Sequence, residues 1–156
     1  KTDGIKFISN TKIKFDLILI KQTIHLLKKN QILKLLSVCK KKLNSNGKII
    51  ILSLDPNKME IPTFSLMEKR LKKSLKRDKS ILNLIIATYP KIVIKNFIYK
   101  VNILKKNYLK MIKNRYISTL LNLSDKQISV GLNEINSNYK NKIIFNDRLI
   151  CLILTK

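Results

Sequence analysis

The stretch Phe15-Asp16-Leu17-Ile18-Leu19-Ile20 decides the fold. It is short and almost continuously apolar, the pattern expected where a parallel strand is covered on both faces. A second run of this kind is Lys48-Ile49-Ile50-Ile51-Leu52. Between the two, Ile32, Leu35, Leu36, Cys39 and Leu43 recur at helical spacing, and Lys40 to Lys42 fall in the last turn, where the helix dipole favours cations. Asn46-Gly47 reads as the left-handed stop of that helix. Strand, crossover helix and strand make a βαβ unit with parallel pairing.

Working outward, Asp55-Pro56 opens a loop that contains Pro62. A strongly basic helix follows, with Phe64, Met67, Leu71 and Leu75 on its apolar face, and then a second short helix over residues 80–88 that ends before Tyr89-Pro90. Phe97, Tyr99, Val101 and Ile103 alternate with Ile98, Lys100 and Asn102, which predicts a strand with one polar-leaning face. Tyr108, Met111, Ile112 and Leu120 mark another helix, and Ser124-Asp125-Lys126-Gln127 fits a capping box that opens a last one through Ile128, Leu132 and Ile135. The extended stretches 143–145 and 149–154, parted by the turn-prone Asn146-Asp147, close the chain. The alternation predicts a three-layer α/β/α fold in one domain spanning residues 1–156, with no repeat or linker.

Composition bounds the function. With 156 residues and 45% hydrophobic content the chain can bury roughly two thirds of its unfolded surface, which excludes disorder despite a net charge of +24. Two cysteines, Cys39 and Cys151, supply neither a disulfide framework nor a zinc ligand set, so a reducing cytoplasm is the expected compartment. No apolar run approaches the ~20 residues of a membrane span, and no secretory signal is visible. Of the 33 basic residues only four are arginine, and the lysines are dispersed among many Ile and Asn with a single Ala87, as an A/T-rich coding bias produces. Dispersed lysine mostly marks solvated faces. The densest run, Lys69 to Lys79, sits on the basic helix, which reads first as a solvated surface helix and second as one that could touch nucleic acid or an anionic membrane.

The segment from Phe15 to Leu27, with His25 behind an apolar strand opened by Phe-Asp, resembles the fourth-strand signature of the class I S-adenosylmethionine-dependent methyltransferases, of the type 11 kind. Leu43, then Asn46-Gly47-Lys48-Ile49-Ile50-Ile51, resembles that family's turn and fifth strand, with Asn where a first Gly is common. Asp3-Gly4 stands where the family places the acidic and small residues that meet the adenine ring. These matches cover residues 3–54, and the last third is consistent with the family's closing antiparallel pair, whose seventh strand inserts between the fifth and sixth. With glycine only at positions 4, 47 and 131, no glycine-rich turn follows a strand, so the resemblance implies the C-terminal part of a partial Rossmann-like fold, an N-terminally truncated fragment inactive alone.

The resemblance also implies roles. Asp3 would accept the adenine amino group and Gly4 let the backbone approach the ring; Lys21 and Gln22, after a strand end, would contact the methyl-donor end of S-adenosyl-L-methionine. His25 would act as a base or hold an anionic substrate, although its neighbours Ile24 and Leu26 equally suit a structural histidine. Arg115, rare among so many lysines, would bind a carboxylate substrate through its fork, or serve as a capping arginine. Residues 56–92 would supply the substrate-covering helices. Methyl transfer from a sulfonium is an in-line displacement that needs no metal. The expected activity is methyl transfer to a small molecule; an RNA substrate and a non-catalytic basic binding module are the alternatives, and nothing in the sequence fixes the oligomeric state.

Overall fold

The computed structural model describes residues 3–156. The elements run α1 (Gly4–Asn10), β1 (Phe15–Lys21), a 3-10 turn (Ile24–Leu26), α2 (Lys29–Lys41), β2 (Leu43–Leu54), α3 (Ser65–Thr88), β3 (Val93–Leu104), α4 (Lys105–Lys113), a second 3-10 turn (Ser118–Leu120), α5 (Asp125–Asn138) and β4 (Lys142–Thr155). The four strands form one sheet in the order β1-β2-β4-β3. β1 and β2 pair in parallel, with Ile18 opposite Ile49 and Ile20 opposite Ile51, and β4 runs antiparallel to β2. The last strand in sequence thus inserts between β2 and β3, as expected.

The chain divides into two compact units, with α3, β3 and β4 each contributing residues to both. The first unit comprises residues 1–55, 78–97 and 149–156. Its core is aliphatic: Ile32, Leu36 and Cys39 of α2, Ile49 and Ile51 of β2, Ile81, Leu82 and Ile85 of α3, and Leu152 and Leu154 of β4 are all buried. Fully burying each such side chain contributes about 1.5–3 kcal/mol, which is why the apolar spacing of α2 suffices to place it.

The second unit comprises residues 56–77 and 98–148. Here Phe64 lies against α5 so closely that a Cβ on Gly131 would stand 2.6 Å from its ring. The hydroxyl and backbone N–H of Ser65 both donate to the Glu134 carboxylate, at 2.7 and 2.9 Å. The Tyr108 hydroxyl donates to the Pro62 carbonyl at 2.6 Å and lies 3.0 Å from the Tyr116 hydroxyl. Glu60 accepts from Asn146 and Arg148.

Six sequence expectations change. The two helices expected after Pro62 are one 24-residue helix, since no Gly or Pro interrupts residues 65–88 and buried Asp78 and Ile81 carry the helix on. Asn46-Gly47 is strand, not a left-handed stop: the β1–β2 register shifts between Phe15 and Leu17, and a Cβ on Gly47 would meet the Phe15 carbonyl oxygen at 2.8 Å. Glycine is required there by close approach of backbone, and α2 has already ended at Lys41, so Leu43 belongs to β2. Leu120 lies in a separate 3-10 turn, because α4 stops at Lys113 and Arg115 adopts φ 52°. Asn146-Asp147 does not turn; the donation from Asn146 to Glu60 accompanies its extended place within β4. Finally, β1 is not covered on both faces: Leu17 and Leu19, two residues apart and so on one face, are each 54% exposed and line an open groove. The capping box is present, with the Gln127 N–H donating to Ser124 and the Ser124 N–H to Gln127.

Candidate functional site

A groove of about 470 Å³ runs along β1 in the first unit. Its walls come from α1, β1, the segment after it and α2, and Leu17, Leu19, Phe7 and Leu26 are among the apolar side chains that line it. The polar side chains in the lining are Asp3 and Thr23. Such a hollow, apolar with a few polar groups, has the size and character of a small-molecule site.

Local sequence explains each position. Asp3 is the N-cap of α1: its carboxylate accepts the Lys6 N–H at 2.9 Å, satisfying one of the unpaired donors of the first turn. Gly4 opens that helix, and a Cβ there would meet nothing within 4 Å, so the space in front of it is open. Sequence spacing predicts no helix over residues 4–10, where the cue is Asp3 ahead of Ile5 and Ile8. At the other end of the groove β1 finishes at Lys21, and Gln22 takes φ 50° while its N–H donates to the Leu52 carbonyl at 2.7 Å. A left-handed conformation in a residue with a Cβ costs about 1–3 kcal/mol and persists where surrounding contacts over-determine it. It takes the chain off the strand end, so that Thr23 turns to the groove and Ile24 is buried.

Of the anticipated site residues, Asp3 and Gly4 line the groove. Lys21 and Gln22, both exposed, sit at the strand end immediately before Thr23, and His25 is half-buried in the following 3-10 turn, outside the lining. Arg115 belongs to the second unit, where its guanidinium donates to the Asp125 carboxylate at 2.6 Å and to the Leu123 carbonyl at 3.2 Å. Thr23 is the functional candidate that sequence reasoning missed; its only cue was its place just past the strand end.

Other ionisable groups are structurally employed. Burial raises the Cys39 thiol to about 11, so the sulfur lining the groove is neutral and a poor nucleophile at pH 7. Burial likewise raises the Tyr108 and Tyr116 hydroxyls, which stay protonated. Among the described residues no group of three or more His, Cys, Asp or Glu side chains is placed to hold a metal ion, and no helix is long and apolar enough to cross a membrane.

No family model and no curated protein matches the chain. Solved structures do. A protein described as a methyltransferase from an antibiotic biosynthesis pathway of Anabaena variabilis superposes with a TM-score of 0.57 at 14% identity, over 92% of this chain and 70% of its own. An S-adenosylmethionine-dependent methyltransferase from Archaeoglobus fulgidus gives 0.49 at 19% identity, over 100% of this chain and 66% of its own. The plantazolicin methyltransferase BpumL, solved with S-adenosylhomocysteine, gives 0.40 at 14% identity, with 57% of its length covered. Two of these three proteins are thus spanned over less than two thirds of their length. With parallel β1 and β2 and the last strand inserted beside β2, this chain has part of the fold of the class I S-adenosylmethionine-dependent methyltransferases.

Proposed function

We propose that this chain is the C-terminal portion of a methyltransferase that takes its methyl group from S-adenosylmethionine and passes it to a small molecule. The observation that carries this reading is the groove along β1, since ligands of open α/β sheets bind beside the carboxyl ends of the strands. An adenine ring is flat, apolar on its faces and carries one amino donor. Leu17 and Leu19 offer the apolar wall, the open space before Gly4 admits the ring, and Asp3, whose carboxylate has several acceptor sites besides the one that caps α1, accepts the amino group.

The fit is to the adenosine end alone. The chain's three glycines include none in a turn after a strand, so the cradle for the amino-acid end must come from residues outside this chain, and no transfer step is derived from this chain by itself. The cofactor, when bound, supplies the methyl group on a sulfonium. Lys21 and Gln22 would contact its methyl-donor end, and His25 would hold an anionic substrate or accept a proton from it. Arg115 would bind a substrate carboxylate only by exchanging it for Asp125, whose side chain is 96% exposed and exchanges at little cost.

Isothermal titration with S-adenosylhomocysteine tests the reading. A polypeptide that joins this chain to the coding sequence upstream of Lys1 should bind it, and Asp3→Ala should weaken that binding about tenfold, as expected for loss of one hydrogen bond to a charged group. Absence of binding by the joined polypeptide would overturn the proposal.

A further inference from the structure

Helix α3 carries a ridge of charge that methyl transfer does not use. Lys69, Lys72, Lys73 and Lys76 are all exposed. At 3.6 residues per turn and 1.5 Å per residue these four fall within about 100° of arc and about 10 Å of axis. The opposite side of the same turns is Met67, Leu71 and Leu75, at 0%, 1% and 5% exposure, so the backbone beneath the ridge is held by core packing. Among the described residues the one ion pair in this arc joins Lys72 to Glu68, which leaves three ammonium groups facing water. Placed so close, they repel one another, and a row of fixed negative charges relieves that repulsion.

We propose that this face of α3 binds the phosphate backbone of RNA without reading its sequence. Charge complementarity selects a polyanion, and lysine, a compact point charge, meets phosphates without the planar fork that reads bases. A bilayer suits the face less well, because a helix lying on a membrane buries apolar side chains in it, whereas the leucines and methionine of these turns are already spent in the core. The inference does not rest on the proposed methyl transfer.

Fluorescence anisotropy with a labelled 20-nucleotide poly(U) RNA tests it. Three single-strand phosphate contacts predict a slope of log affinity against log salt of about −2.1, hence a loss of about 20-fold between 50 and 200 mM KCl. The variant K69Q/K72Q/K73Q/K76Q keeps side chains of similar helix propensity and should lose most of the affinity and most of that slope. The control K12Q/K14Q/K28Q/K29Q removes the same charge elsewhere and should bind nearly as the parent does. Equal losses in both variants would show diffuse attraction by net charge and overturn the ridge. Binding to phosphatidylserine vesicles that the α3 variant abolishes, without RNA binding, would overturn the choice of RNA.

Discussion

Both units of this protein bury an apolar core, and the second carries more side-chain hydrogen bonds between distant segments. In the first, α2, β2 and the end of α3 meet through Ile, Leu and Cys side chains, with Ser53 and Asp78 also buried in the unit. In the second, segments distant in sequence are tied by particular polar bonds: Tyr108 to the Pro62 carbonyl, Ser65 to Glu134, and Glu60 to Asn146 and Arg148. Apolar burial is non-directional and scales with area, so it tolerates many arrangements of the same residues. Hydrogen bonds demand one geometry, and leaving a partner unmet is costly. Both units should therefore respond to volume, and the second also to single atoms and to pH.

The largest effect should come from Ile51→Ala, a fully buried position in β2, expected to lower the unfolding free energy by about 2–5 kcal/mol in urea titration. A loss under 1 kcal/mol would mean that the first unit is not held by packing. Next comes Gly131→Ala. Although alanine favours a helix by about 1 kcal/mol, its Cβ meets the buried Phe64 ring, and overpacking of this kind costs about 1–3 kcal/mol, so the same titration should show a net loss. Tyr108→Phe keeps the ring and removes its bond to Pro62; a decrease of about 1–2 kcal/mol is expected, and no decrease would break the contrast between the units.

The pH response sharpens the comparison further. Hydrogen bonding from Arg148 and then Asn146 holds Glu60 below the usual carboxylate range, and Ser65 does the same for Glu134. A carboxylate depressed in the folded state adds stability above its unfolded pKa and loses it as pH falls through the folded value. Stability should therefore decline on acidification below the ordinary carboxylate range, and Glu60→Gln should flatten that decline when melting temperatures are followed against pH. The smallest effect belongs to Gly4→Ala, expected to raise stability by about 0.5–1 kcal/mol because a Cβ there meets nothing.

How much was legible in the sequence follows the same division. The βαβ unit was readable because the spacing of Ile32, Leu36 and Cys39 reports burial directly, and the Ser124–Gln127 box was readable because both partners are three residues apart. Asn146-Asp147 misled because a local turn propensity was overruled by Glu60, a residue far away in sequence. Thr23 and the left-handed conformation of Gln22 could not be foreseen, since neither that turn nor the groove is encoded by residue type alone.

By itself, then, the amino-acid order determined the alternating α/β class of the fold and the parallel pairing of β1 and β2, because hydrophobic periodicity and short-range caps act within a few residues, whereas the insertion of the closing strand was expected only from the family resemblance. Only the tertiary structure decided that β1 keeps one face open beside a groove, that α3 is one helix with its lysines on a single arc, and which polar groups meet across the second unit. Those outcomes depend on which surfaces remain uncovered and which distant atoms come within 3 Å, and local spacing carries no record of either.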